Sequence, residues 1–106
     1  MQISVHDDVL IGGMPEGYLT RSIEAAVDFG RALKTAYEEA LKMKFPGHEA
    51  DVQIEVKLFG GFGTGLAVDV SGYPGEVTNE PEIVQDLLVS VREMAFKTWL
   101  ARRQAL

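Results

Sequence analysis

Residues 51–71 read DVQIEVKLFGGFGTGLAVDVS, and this stretch decides the fold class. Apolar side chains occupy every second position in two runs: Val52, Ile54, Val56 and Leu58 in the first, and Leu66, Val68 and Val70 in the second. A period of two is typical of a strand with one face in the core and one face in solvent. The glycine-rich segment 59–65 predicts a hairpin connection that is longer than a two-residue turn. The stretch therefore predicts two half-buried strands joined as a hairpin.

A further strand is predicted at the start of the chain. Ile3 and Val5 alternate with Gln2 and Ser4, which favours a strand over residues 1–5. Residues 9–11 either extend this strand or form a short second one, since two glycines follow directly.

A long helix is predicted between the first strand and the pair. Thr20 or Ser22 can cap it, and it runs to about Lys44, where the Phe-Pro-Gly sequence of residues 45–47 ends it. Its apolar stripe consists of Ile23, Ala26, Val27, Gly30, Leu33, Tyr37, Ala40 and Leu41. Phe29, Met43 and three alanines widen the stripe on one side, so we expect a second helix to cover that flank. Because a helix connects the first two strands, they are predicted to be parallel.

A closing helix is predicted from a cap at Asn79, with Glu82 at the capping-box spacing. Its core-facing arc is predicted to contain Ile83, Val84, Leu87, Leu88, Val91, Met94, Ala95 and Thr98. The elements predict an α+β fold, a β-α-β-β-α two-layer sandwich with two helices on one face of a small mixed sheet. Residues 1–106 are expected to form a single domain.

Composition excludes several classes of function. The chain has no Cys and only two His, which removes thiol chemistry and leaves few ligands for zinc. No apolar run approaches the roughly 20 residues of a membrane span, and no basic segment precedes an apolar N-terminal stretch. We therefore expect a cytoplasmic protein without an export signal. We also expect that the protein is not an enzyme and needs no cofactor.

The net charge of −6 is concentrated in the middle of the chain. Residues 48–91 carry eight acidic side chains against Lys57 alone. Nucleic-acid affinity comes mostly from Lys and Arg that neutralise phosphates, so direct nucleic-acid binding is not expected. The expected partner is a protein with a basic surface, and salt should weaken the association. An exposed strand edge also permits self-association.

The glycine-rich segment 60–65 can be interpreted as a phosphate loop or as a mobile tip. A phosphate loop needs a helix directly after it, whereas a strand is predicted here, and the segment contains no Lys. In the alternative, Phe59 and Phe62 fold back on the core or dock on a partner. A small ligand, if one binds, would lie near this segment and Tyr73.

Polar residues on the predicted strands can be interpreted as sites or as solvated surface. The His-Asp-Asp sequence of residues 6–8 offers metal ligands, but no further convergent ligands are evident, so no metal site is expected. The alternative is a strand end that turns into solvent. Asp51, Glu55 and Asp69 are predicted to project from the open face of the sheet. A flat sheet lacks the concave pocket that carboxylate catalysis needs, so these acids predict a secondary acidic contact face.

The closing helix is predicted to carry an acidic ridge, defined as Glu82, Asp86 and Glu93. Spacings of four and seven residues return to nearly the same angle on a helix. Val89 and Phe96 lie beside the ridge and are predicted to point outward. Carboxylates edged by apolar residues are typical of a docking strip for a basic surface. The alternative is that acids near a helix start only complement the helix dipole.

The β-α-β-β-α order in an acidic chain without Cys resembles the DinI-like family of small regulators from bacteria, phages and plasmids. The resemblance lies in Met1, Ile3 and Val5, the helix end at residues 45–46, the strand from Val52 with its hairpin partner, and the closing helix with Trp99. It implies that the acidic ridge docks on RecA, competes for a DNA-binding surface and modulates co-protease activity towards LexA-type repressors. The chain departs from the family in its longer first helix, its glycine-rich tip and its basic helix end.

The leading hypothesis is a non-enzymatic protein-interaction module that regulates or inhibits a DNA-handling protein, with a RecA-type filament of the SOS response as the first candidate. A phage-type inhibitor of a host nuclease or defence complex is the first alternative. Such an anti-CRISPR-like DNA mimic would use the acidic ridge together with Asp51, Glu55 and Asp69. A small-ligand-binding protein that uses the glycine-rich hairpin is the second alternative.

Overall fold

The elements of the fold are seen in a computed structural model that describes residues 2–10, 23–57, 65–71 and 80–105. Within these ranges the chain forms β1 (Gln2–Leu10), α1 (Ile23–Lys44), β2 (Glu49–Lys57), β3 (Ala67–Ser71) and α2 (Glu80–Ala105). The predicted α+β class and the β-α-β-β-α order are confirmed. The predicted cap residues Thr20, Ser22 and Asn79 lie outside the described residues. Neither described helix combines the length and apolar character needed to span a lipid bilayer.

β1 is the central strand of a three-stranded sheet with the order β2-β1-β3. It pairs parallel to β2 and antiparallel to β3, so Val5 lies between Val52 and Val68. The predicted parallel pairing is confirmed, whereas the predicted hairpin is wrong because β2 and β3 occupy opposite edges of the sheet. Alternation assigns the faces of a strand but not its neighbours. The central position of β1 agrees with its burial, since five of its residues are buried, whereas Val52 is the buried residue of β2.

The two faces of the sheet are covered differently. Ile3, Val5 and Val9 of β1 belong to one core cluster with residues of both helices, such as Leu33 and Val84. Both helices therefore pack on one face, as predicted. Along β2 and β3, exposed side chains alternate with core-facing side chains. The exposed ones point to the other face of the sheet, which is called the open face here.

α1 buries most of its predicted stripe against the sheet, but Ile23 at its start is 65% exposed, contrary to the prediction. Its buried residues are Ala25, Ala26, Phe29, Gly30, Leu33, Tyr37 and Leu41, which recur at helical spacing. The helix ends where the Phe45 N–H donates to the Leu41 carbonyl at 2.8 Å, and Pro46 follows. The widened flank is only partly covered by α2, because Phe29 is buried whereas Met43 is exposed.

The buried face of α2 is rotated relative to the prediction. Three residues that the pattern assigned to the core are exposed, namely Ile83, Met94 and Thr98, and Trp99 is buried instead. The rings of Phe96 and Trp99 lie 5.3 and 5.4 Å from the ring of Phe29 in α1, measured between centroids. Aromatic side chains bury more area than Ile or Met, so their contact with α1 sets the rotation of the helix.

Candidate functional site

The acidic ridge of α2 lies on the surface. Glu82, Asp86 and Glu93 are all exposed. None of these three carboxylates forms an ion pair within the part of the chain that the structure describes. Val89 lies between Asp86 and Glu93 and is 47% exposed. Unpaired carboxylates beside an accessible apolar side chain are suited to Lys or Arg side chains of another molecule.

Phe96 does not point outward, contrary to the prediction. Its ring is half-buried, packs against the core cluster and meets Phe29 edge-on. It also lies 5.9 Å from the ring of Trp99. The rotation of α2 moves Phe96 to the border of the buried face, which a wheel drawn for one isolated helix cannot show. A contact between Phe96 and a partner stays a prediction that this packing does not favour.

The open face carries the secondary acids on a single surface. Asp51 of β2 and Asp69 of β3 lie directly opposite Ser4, one on each side of β1. Paired residues point to the same face, so both carboxylates and that of Glu55 project from the open face. Asp51 and Asp69 border a shallow depression of about 380 Å³ whose lining includes Ser4 and Ala67. The role of this surface in binding stays a prediction.

One end of the open face holds a charged cluster, called the β1–β2 cluster here, that consists of His6, Asp8, Glu55 and Lys57. The Lys57 Nζ atom lies 3.4 Å from Asp8 Oδ1 and 3.4 Å from Glu55 Oε2. His6 Nε2 lies 3.5 Å from Glu55 Oε1, and the Gly65 N–H donates to Asp8 Oδ2 at 2.9 Å. Desolvation lowers the pKa of Lys57, but the contacts with Asp8 and Glu55 outweigh it and raise that pKa above its usual value.

The interpretation of residues 6–8 as a strand end in solvent is wrong. β1 continues to Leu10, and both Asp7 and Asp8 are buried, one on each face of the sheet. The sequence offered one signal for this arrangement. Asp7 continues the alternation of Ile3, Val5 and Val9, so it occupies a core-facing position where a carboxylate requires partners.

Asp7 finds those partners on both helices. The Tyr37 hydroxyl and the Arg92 Nη1 atom each donate to Asp7 Oδ2 at 2.6 Å. Arg92 also donates to the Asp8 carbonyl at 3.3 Å. Burial, followed by the hydrogen bond to Asp7 and its charge, raises the pKa of Tyr37. The network joins β1, α1 and α2 inside the core, so we assign it a structural role.

A broad groove of about 1500 Å³ lies between the outer sides of α1 and α2. Met43 and Met94 line it and are both exposed. The indole N–H of Trp99 donates to Asp28 Oδ2 at 2.7 Å, and Arg103 lies over the Trp99 ring at 5.0 Å and 3.6 Å from Asp28. The sequence did not indicate this groove, because it follows from the rotation of α2.

The glycine-rich tip cannot be placed in this geometry. Phe59, Phe62 and residues 60–64 lie outside the described residues, as does Tyr73, so the docking and ligand hypotheses for them stay predictions. Gly65 is described and has a φ of +101°, a conformation that favours glycine. Its N–H donates to Asp8.

Comparisons with protein-family models, curated proteins and solved structures find no match to this chain. The resemblance to the DinI-like family therefore rests on the sequence pattern alone and stays a hypothesis.

Proposed function

We propose that the chain is a non-enzymatic protein-interaction module whose acidic ridge binds a basic surface of a DNA-handling protein. One observation carries the proposal: Glu82, Asp86 and Glu93 are exposed and form no ion pair among the described residues. A RecA-type filament is the first candidate partner, on the basis of the DinI-like resemblance. Such a role places the chain in the cytoplasm.

The ridge is well shaped for this purpose. From position 82 to position 93 it extends over roughly 17 Å, at about 1.5 Å per helical residue. Carboxylates in a row on a rigid helix lose less conformational freedom on binding than carboxylates on a loop. Charged groups of this kind raise the association rate more than the final affinity, and salt screens their effect. Val89 supplies the apolar contact that excludes water beside the charges.

The test compares two variants with equal changes in charge. The ridge variant carries Lys at positions 82, 86 and 93. The control carries Lys in place of Glu24, Glu38 and Glu39, which are exposed acids of α1. Each set includes one acid in the first turn of its helix, so the loss of dipole compensation is matched.

Binding of each protein to RecA filaments on single-stranded DNA is measured by fluorescence anisotropy at about 50 and 200 mM salt, since surface electrostatics weaken over that range. We expect the ridge variant to bind at least about tenfold more weakly, which corresponds to about 1.4 kcal/mol. The control should stay within about threefold of the wild type. Equal losses in the two variants would mean that net charge, not the ridge, determines binding. Full retention by the ridge variant would reject the proposal.

A second candidate function is inhibition of a nuclease or defence complex by nucleic-acid mimicry. It is favoured by the placement of Asp51, Glu55 and Asp69 on one open face. Amide substitutions at these three positions keep the shape of the surface and remove its charge. If the face imitates phosphates, these substitutions should reduce nuclease inhibition. The ridge variant, by contrast, should lose binding to RecA. The two assays therefore separate the two functions.

A further inference from the structure

The β1–β2 cluster has the donor set of a metal site, although the sequence argued against one. We propose that His6, Asp8 and Glu55 bind a divalent transition metal of the zinc type, and that the Lys57 ammonium leaves its place between the carboxylates when the metal enters. This proposal does not depend on the acidic ridge, which lies on α2.

Strand geometry brings the three ligands together. His6 and Asp8 are two residues apart on β1 and project from the same face, and Glu55 lies directly opposite Asp8 in the parallel pairing with β2. One ligand atom of each residue lies within 4.8 Å of the others. Zinc bonds of about 2.0–2.1 Å place neighbouring ligands of a tetrahedron roughly 3.3 Å apart. The 3.5 Å separation of His6 Nε2 and Glu55 Oε1 already approaches this value.

A second observation indicates that the cluster is a place for a cation. The Asp8 side chain is 1% exposed, yet its Oδ1 atom accepts no hydrogen bond from any described residue. Buried carboxylate oxygens ordinarily have such a partner. Among the described residues, the cation in contact with this atom is the Lys57 ammonium at 3.4 Å, which is longer than the roughly 2.7–2.9 Å of a charge-assisted hydrogen bond. Lys57 thus marks a cation position without saturating it.

The flexible members of the cluster lie at the surface. The Glu55 side chain is 56% exposed and the Lys57 side chain is 33% exposed. Rotation of Glu55 can shorten the ligand distances, and Lys57 can extend into solvent without a change in the backbone. Asp8 stays fixed by the Gly65 N–H, which holds its second oxygen. A rigid buried ligand with two adjustable surface ligands suits a site that binds its metal from solution.

The donors define the class of metal. An imidazole favours zinc and related transition metals over magnesium and calcium, which prefer ligand sets made of oxygen alone. Two carboxylates neutralise a divalent ion, and water can fill the remaining position. The Lys57 ammonium, by comparison, supplies only one positive charge for the two carboxylates of Asp8 and Glu55.

Isothermal titration of the full chain with zinc chloride, in a buffer that does not chelate zinc, tests the proposal. We expect one zinc per chain, bound with a dissociation constant on the order of micromolar. His6→Ala and Glu55→Gln should each weaken binding at least about tenfold, because loss of a residue that only supports a ligand already costs about 10–100-fold. Lys57→Gln should tighten binding about tenfold, because it removes the competing cation. Magnesium should give no heat at the same concentrations.

Matched controls use the other histidine and a neighbouring acid. His48→Ala and Glu49→Gln lie outside the cluster and should change the affinity less than about threefold, which is below 1 kcal/mol. If Lys57→Gln does not fold without metal, refolding on addition of zinc supports the proposal. If zinc does not refold this variant, the zinc affinities of His6→Ala and Glu55→Gln decide the question, since both side chains reach the surface. No zinc binding by the wild type, or equal weakening in the controls, would overturn the proposal.

Discussion

Replacement of Tyr37 by Phe tests the buried network that joins the sheet to both helices. The substitution removes one hydroxyl and keeps the ring, so the packing of the core is nearly unchanged. The hydroxyl donates to Asp7 Oδ2 at 2.6 Å, and both side chains are buried. A hydrogen bond to a charged group contributes about 1.5–3 kcal/mol. Because Arg92 still donates to the same oxygen, we expect a loss of about 2 kcal/mol in the free energy of unfolding.

Urea unfolding followed by circular dichroism measures this loss. A domain of this size has an m value of about 1–1.5 kcal/mol/M, so the midpoint should fall by roughly 1.5 M while the slope stays constant. A changed slope would mean that the substitution altered the compactness of one of the two states. A loss below about 0.5 kcal/mol would contradict the assigned role of the hydroxyl.

The same pair of proteins makes a prediction about pH. Burial and the contact with Asp7 raise the pKa of Tyr37 in the folded state. In the unfolded chain the phenol ionises near pH 10, so its contribution to stability is fully present below that pH and is lost as the pH rises further. The stability difference between wild type and Tyr37→Phe should therefore shrink above about pH 10. A difference that stays constant from pH 8 to pH 11 would refute this reasoning.

Three further substitutions test the packing of the helices. Gly30→Ala should stabilise the protein by about 0.5–1 kcal/mol in thermal unfolding, because a Cβ there would lie 3.6 Å from the nearest side chain, an ordinary contact. Phe96→Ala should lower the free energy of unfolding in urea by about 2–3 kcal/mol if its ring packs on Phe29 as described. A loss below about 1 kcal/mol would mean that the ring is exposed. Trp99→Phe should cost about 1 kcal/mol through its bond to Asp28, and a double-mutant cycle with Asp28→Ala should show coupling.

Element order and faces could be predicted from the sequence because they depend on local periodicity. Val52 and Val68 were placed correctly in the core-facing rows of their strands. Their neighbours could not be predicted, since Val5 separates them and alternation carries no information about which strands pair. A glycine-rich connection between two alternating runs favours a hairpin unless a third, more buried strand pairs with both of them. β1 is that strand.

The candidate site shows the same division between local and distant causes. The exposure of the ridge was predictable from Glu82, Asp86 and Glu93, because polar residues at spacings of four and seven define one helix face. The core-facing position of Asp7 could be read from the alternation along β1, but its partners could not, since they lie 30 and 85 residues away in sequence. The inward position of Phe96 depends on a ring in the other helix, which no pattern within α2 reveals.

The separation of Asp7 and Arg92 in the sequence also affects when the chain can fold during its synthesis. Of the five elements, β1 leaves the ribosome first. One of its edges cannot pair before β3 has been made, and the carboxylate of Asp7 cannot bind Arg92 before α2 has been made. Until α2 has been synthesised, the nascent chain holds a charged residue in the strand that will become the centre of the sheet. Contacts of such long sequence separation slow folding, because the loop entropy is lost before the contacts form. We therefore expect the nascent protein to stay open, and accessible to chaperones, until residue 92 has left the ribosome.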